Sequence, residues 1–372
     1  MRVLASRMLV ATVVVSGLLL AGGALSSPAG AVVTVSATPL SSDGADGRVS
    51  AFARAGDRLF VGGDFDSVGG EAHANLAALD AATGQVVSTW RADTNGAVEA
   101  LAPSSDGTVL YVGGTFTSVG GVVRRHVAAL STATGAVAAW NPNAIGGSVL
   151  ALTATAGRVF LGGKFTTVGG VQRPYLAAVS TAGPLDTAFD AHLDGAVWAL
   201  VRSPDNGRLY AGGDFHSAGG QFRAHLAALD PADGDASGWH PQVTCPVLAL
   251  DATADAVYAA CAGGTQLGNT ALAYAAASGN KLWTAHTDGN VQAVARPGGA
   301  VYIGGHFGTV SGTNIKKAAA LDADNGQVLP WNPHPNSIYG VMVLLADGGS
   351  LWMGGDFTTI HGASQPHIAH FA

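Results

Sequence analysis

Most side chains capable of acid–base or anion-binding chemistry lie in segments rich in glycine or proline. Histidine and tyrosine can transfer protons, and lysine or arginine can hold a carboxylate or a sulfate. The candidates for a catalytic acid or base are His192, His306, His334 and Tyr339. The candidates for ligand binding are Asp64, Lys164, Arg173, Asp214, Arg223 and Asp356. Their chemistry depends on the elements that bring them together.

Those elements come from an internal repeat. The segment "VGGDF" at Val61 recurs with the first glycine of its pair at 62, 113, 162, 212, 304 and 354. The gap between 212 and 304 contains "AVYAACAGG", in which Ala260 and Cys261 replace the glycine pair. The chain therefore contains seven units of roughly 50 residues, a length typical of one propeller blade.

Each unit has the pattern of four short strands separated by turns, and no window has a sustained helical period. The sequence therefore predicts an all-β fold, a seven-bladed β-propeller with four-stranded blades. The segment from Val32 to Pro39 resembles the outer-strand ends, whereas the seventh unit stops at its third strand. We expect this N-terminal strand to complete the last blade, so that residues 32–372 form one closed domain.

Residues that recur in every unit have a structural explanation. The first glycine pair permits close backbone approach, the second permits a turn with positive φ, and the following phenylalanine fits between blades. The outer aromatic residues are also expected to pack between blades, with sugar stacking as the alternative. These are Trp90, Trp140, Phe189, Trp239, Trp283 and Trp331.

The position directly after each glycine pair is different because its chemistry varies. It holds Asp64, Thr115, Lys164, Asp214, His306 and Asp356.

In a propeller, the loops between strands two and three share one rim with the connections between blades. Eleven of the twelve histidines are predicted on this rim, and His370 falls inside a strand. This bias predicts a functional face.

The pattern "LYVGGTFTSVGG…VAALSTATG…W" resembles the delta-60-type propeller repeats of exported bacterial proteins. It is also similar to the repeats of the fungal cortical cell-polarity marker. The resemblance covers all seven units. It implies the propeller fold and supplies no catalytic motif to transfer.

The N-terminus predicts export. Arg2 and Arg7 precede an apolar run, and Ala29-Gly30-Ala31 fits a signal peptidase site. We expect residues 1–31 to be a signal peptide and the mature protein to be secreted, extracellular and free of a membrane anchor. In an oxidising compartment, Cys245 and Cys261 are expected to form a disulfide that closes a hairpin of the fifth blade.

The composition narrows the classes of ligand and partner that we expect. The net charge of −7 and the lack of a basic cluster argue against nucleic acid. We find no HExxH motif and no EF-hand loop, so we expect no metal site and no cofactor. His367 and His370 are three residues apart on a predicted strand and point to opposite faces. We expect a monomer.

Three functions remain open. The leading hypothesis is a binding protein that holds a glycan or protein partner on the His-rich rim. The alternative is an enzyme at the same rim, a polysaccharide lyase or a glycoside hydrolase. In such a lyase, His192, His306, His334 or Tyr339 would act as the base, and Lys164 or Arg173 would hold a uronate carboxylate. The third is a non-catalytic structural module of the cell surface.

Overall fold

The computed structural model describes residues 32–263 and 269–372. The predicted signal peptide therefore lies outside the described residues. The described part consists of β-strands joined by turns and loops. None of its residues forms a helix long and apolar enough to span a membrane.

Each repeat forms an antiparallel sheet in which the second strand lies between the inner strand and the third strand. The inner strands are Arg48–Ala55, Val98–Pro103, Val149–Ala154, Ala196–Arg202, Val247–Ala252, Val291–Ala295 and Val341–Asp347. The second strands are Arg58–Asp64, Val109–Gly114, Arg158–Gly163, Leu209–Asp214, Ala256–Cys261, Ala300–Gly305 and Ser350–Gly355. The third strands are Leu76–Asp80, Val127–Ser131, Leu176–Ser180, Leu226–Leu229, Asn269–Ala275, Ala318–Asp322 and Ile368–Phe371.

These sheets, numbered here as blades 1 to 7 in chain order, surround a central axis. Each inner strand packs against the inner strand of the next blade, and Val341–Asp347 packs against Arg48–Ala55. The fold is thus a β-propeller, and the seven sheets of the described residues are consistent with the predicted blade number.

The N-terminal segment closes the ring as predicted. The backbone N–H of Leu40 donates to the carbonyl of His370 at 2.7 Å, and that of Ser36 donates to Ala372 at 2.9 Å. The segment therefore occupies the outer position of blade 7, beside the third strand Ile368–Phe371. This pairing covers an edge that would otherwise be open.

The outer strands are shorter than the sequence suggests. In blade 1 the outer segment forms a single bridge between Leu79 and Val86, after which a turn brings the N–H of Trp90 to the carbonyl of Val87. The turn draws the chain away from the sheet edge and directs the indole into the blade interface. Blade 5 is an exception in the described part of the chain, with a full outer strand at Lys281–Thr287.

The recurring aromatic residues join neighbouring blades, as predicted. Trp140 is 7% exposed and its indole N–H donates to the carbonyl of Ser180 in the next blade at 2.9 Å. The same bond recurs for Trp90, Trp239, Trp283 and Trp331. The phenylalanines after the glycine pairs are also buried, Phe116 among side chains from blades 1 and 2. These rings therefore belong to the core.

The first glycine of each pair allows the blades to approach. A Cβ on Gly62 would lie 2.4 Å from Cγ1 of Val98 in the next blade. Glycines of the second pair adopt positive φ, 61° at Gly69 and 78° at Gly70. Both structural predictions for the glycines are confirmed.

The predicted disulfide is present between Cys245 and Cys261, whose Cα atoms are 5.7 Å apart. Cys261 pairs with Val247 in the register in which Gly63 pairs with Val49. The bridge therefore occupies a site where blade 1 has a close backbone contact without side chains.

Candidate functional site

The glycine-rich loops of the predicted rim are folded into small hairpins. Five of the six described hairpins pair with the connection that arrives from the preceding blade, as in the bridge between Thr94 and Val119. In blade 4 the backbone N–H of Gly219 donates to the carbonyl of Ala191. The hairpin strands are Ser67–Val68 with Glu71–Ala72, Ser118–Val119 with Val122–Val123, Thr167–Val168 with Val171–Gln172, Ser217–Ala218 with Gln221–Phe222, Thr309–Val310 with Thr313–Asn314, and Thr359–Ile360 with Ala363–Ser364. A further short strand, Ala144–Ile145, pairs with Thr167–Val168. The loops are therefore held by backbone hydrogen bonds.

An Asp or Asn in each of five connections ties two blades together. Oδ1 of Asp194 accepts the backbone N–H groups of His216 at 2.8 Å and Ser217 at 2.9 Å. Equivalent bonds are made by Asp46, Asn95, Asp288 and Asn336. Desolvation raises the pKa of Asp194, but these hydrogen bonds outweigh it and leave the pKa below its usual value. These Asp and Asn residues of the rim therefore have a structural role.

The histidines of the rim fall into two groups. His126, His225 and His367 adopt positive φ just before a third strand, and their Nδ1 atoms lie 3.0–3.3 Å from a glycine carbonyl. His73 is fully buried, and burial lowers its pKa. The exposed group is His192, His216, His240, His286, His306, His334 and His361. This second group is the more exposed of the two, whereas His126 and His367 are half-buried.

Most of the predicted ligand-binding residues after the glycine pairs are exposed. The side chain of Lys164 is exposed. Oδ2 of Asp64 lies 3.7 Å from Nη2 of Arg48, and Oδ1 of Asp214 lies 3.9 Å from Nδ1 of His225. Asp356 is different because it accepts hydrogen bonds from the Ser337 hydroxyl and from the backbone N–H groups of Tyr339 and Gly340. It thus holds the connection between blades 6 and 7.

The two predicted ligand-binding arginines fold back onto the protein. Arg173 and Arg223 are each 7% exposed. Arg223 donates to the carbonyls of Phe222 and Ser237, and Arg173 donates to the carbonyl of Phe189. Their guanidinium groups brace the hairpins, so we leave them out of the binding surface proposed below.

The four candidate catalytic residues are all exposed, and no hydrogen bond or ion pair of the described residues joins any two of them. Nδ1 of His192 lies 3.6 Å from Asp190, which also lies 3.5 Å from Arg173. The His334 ring lies 5.2 Å from that of His361. Tyr339 and Ile338 protrude from the connection between blades 6 and 7, 66% and 74% exposed.

Sequence reasoning missed an apolar surface on blades 2 to 4. The outer arms of their hairpins expose Val123 at 66%, Val171 at 44% and Phe222 at 67%. The corresponding arms of blades 1, 6 and 7 are Glu71–Ala72, Thr313–Asn314 and Ala363–Ser364. The hairpin tips are thus apolar on one side of the rim and polar or small on the other.

A second missed feature is the central cavity, which has an empty volume of about 1000 Å³ including its open mouth. It is lined by the first halves of the inner strands and contains none of the predicted site residues. Each inner strand has a β-bulge at its second or third residue, as between Val98 and Ala100. The lining residues at these bulges are Ser50, Glu99, Leu150, Trp198, Leu248, Gln292 and Met342. Their variation within an otherwise constant apolar pattern is the signal that could have found them.

The described residues contain no cluster of three or more histidine, cysteine, aspartate or glutamate side chains suited to a metal ion.

The fold and its seven-fold pattern define a β-propeller repeat protein. A family model described as a domain of unknown function, DUF5122 β-propeller, matches residues 104–132. No match is found among curated proteins.

Solved structures support the same fold. The WD40 β-propeller domain of Doa1 has a TM-score of 0.59 at 14% identity, covering 90% of this chain and 96% of that one. The β-propeller domain of Myceliophteria thermophila Cps50 (Swd1) has a TM-score of 0.59 at 11% identity, covering 89% and 98%. The computationally designed Ika8 protein has a TM-score of 0.56 at 16% identity, covering 89% and 98%. These likenesses concern the fold alone.

Proposed function

We propose that this protein is a secreted binding module that holds a protein partner on its loop rim. The observation that carries the proposal is the apolar surface of Val123, Val171 and Phe222 on hairpins of three consecutive blades. Exposed apolar side chains on a braced backbone lose little entropy on binding and release water from the surface. Secretion rests on the export signal expected in residues 1–31, and the disulfide fits an oxidising compartment.

A protein partner fits this surface better than a glycan. Sugar binding commonly uses exposed aromatic faces. The outer tryptophans are instead buried, and their indole N–H groups donate hydrogen bonds between blades. On the rim, the exposed large aromatic side chains are Phe222 and Tyr339 in the described part of the chain. Aliphatic side chains supply the rest of the patch.

The test is site-specific photo-crosslinking from Val123 and Phe222 in secreted protein, followed by affinity measurement with the captured partner. A crosslinker at Ser105, an exposed turn on the opposite rim, is the matched control. We expect capture from the first two positions only, and we expect Phe222→Ser to weaken binding by about tenfold or more. Equal capture from Ser105, or glycan binding that Phe222→Ser leaves unchanged, would contradict a protein-binding rim.

One observation favours acid–base catalysis as a second candidate, in a lyase or glycoside hydrolase. Asp190 lies 3.6 Å from Nδ1 of His192, an arrangement that leaves Nε2 of an exposed imidazole free to move a proton. His192→Ala should abolish any uronate-lyase or glycosidase turnover while leaving the melting temperature unchanged. Turnover that survives in this variant would exclude His192 as the catalytic base.

A further inference from the structure

We propose that the central cavity binds an organic cation, an ammonium group carried on an apolar chain. This site is separate from the rim hairpins, and the proposal does not rest on the protein partner.

The first argument is the charge of the lining. Glu99 is the one ionisable side chain among the residues that line the cavity. It makes no hydrogen bond or ion pair with the described residues. Its side chain is partly exposed, so an ammonium group entering the cavity can reach the carboxylate and form a charge-assisted hydrogen bond. The lining therefore selects for positive charge.

The second argument is the apolar and aromatic remainder of the lining. Trp198 lies at the bulge of blade 4, and Leu150, Leu248 and Met342 occupy three other bulges. An indole face attracts a cation through its quadrupole, and the aliphatic side chains suit a hydrocarbon chain. The cavity thus offers polar recognition for one end of a ligand and apolar walls for the other.

The position of these residues on bulges explains how the fold directs them. At a β-bulge one residue has no partner on the neighbouring strand, and its side chain is redirected. The bulge recurs in every inner strand, between Val49 and Ala51 in blade 1 and between Val341 and Val343 in blade 7. The bulged residues therefore have no partner residue on the neighbouring strand. Their side chains can differ from blade to blade without disturbing the sheet, and can contact a ligand in the cavity.

The experiment measures binding of butylamine, hexylamine and octylamine by calorimetry and tryptophan fluorescence. Hexanol and hexanoate are the neutral and anionic controls. We expect the amines to bind with affinity rising with chain length, and hexanol to bind at least tenfold more weakly than hexylamine. Glu99→Gln should weaken hexylamine by about tenfold or more, since hydrogen bonds to charged groups are strong.

Two further variants complete the test. Trp198→Leu should weaken hexylamine several-fold and remove the fluorescence response. Phe222→Ser, on the rim, should leave amine binding unchanged, which separates this site from the proposed partner surface. Absence of amine binding in folded protein, equal binding of hexanol and hexylamine, or full retention of amine affinity in Glu99→Gln would overturn the proposal and leave a cavity filled by water.

Discussion

Removal of the disulfide should destabilise the fold by an amount that follows from its position. The two cysteines are separated by 16 residues, and closing a loop of that length in the unfolded chain corresponds to about 3 kcal/mol at 25 °C. We therefore expect the double variant Cys245→Ser, Cys261→Ser to unfold with a free energy lower by about 3 kcal/mol. For a domain of this size, the melting temperature should fall by about 4 °C.

The assay is guanidinium or thermal unfolding of three samples: oxidised wild type, reduced wild type and the double variant. Reduced wild type keeps both sulfur atoms, so it separates loss of the cross-link from burial of two hydroxyl groups. Thiol titration verifies its reduction. If oxidised and reduced wild type unfold at the same midpoint, the cross-link contributes nothing and the reasoning is refuted. If only the double variant is less stable, the loss comes from buried serine.

Three further changes test the ring and its rim. Gly62→Ala should lower the free energy of unfolding by about 1–3 kcal/mol because the added methyl group overlaps Val98; the matched Gly157→Ala, with no atom within 4 Å, should change it by less than about 0.5 kcal/mol. Similar losses in both would refute the close approach of blades. Asp194→Ala should cost about 1 kcal/mol, measured by denaturant unfolding, because two backbone donors lose a charged acceptor. Burial, reinforced by Arg91, lowers the pKa of His73, so the stability it contributes is present above the unfolded pKa of about 6.5 and is lost as the pH falls below it. Unfolding midpoints measured from about pH 7.5 to 5.5 should therefore fall more steeply in wild type than in His73→Phe, and parallel profiles would contradict this assignment.

The fold was predictable because its demands repeat. Gly62 and Phe65 recur in equivalent places because each blade must approach its neighbour in the same way, and the sequence displays that demand six times. The disulfide was predictable from compartment and hairpin geometry. The lengths of the outer strands were overestimated. The turn before Trp90 forms because the indole packs between two blades, and a local strand pattern does not contain this tertiary constraint.

The roles of the polar rim residues were less accessible because their partners lie in other segments of the chain. The sequence shows an acid at Asp194 but not the two N–H groups of the next loop that it accepts. It shows an arginine at Arg173 but not that the side chain folds back onto a carbonyl. Long side chains can reach partners that are distant in sequence, so residue type alone does not separate a ligand-binding arginine from a bracing one.

Variation among equivalent positions is therefore not a sufficient sign of function in this ring. The position after the glycine pair varies as much as the bulge position, yet at Asp356 the side chain is occupied by Ser337, Tyr339 and Gly340. The bulge position that Glu99 occupies varies in the same way, and the Glu99 side chain has no partner among the described residues. A charged side chain that is both released from the repeat and left without a partner has no structural task in the described fold. Lys164 on the rim also meets both criteria among the described residues, and Glu99 differs from it by lying in a cavity that has no other ionisable lining residue.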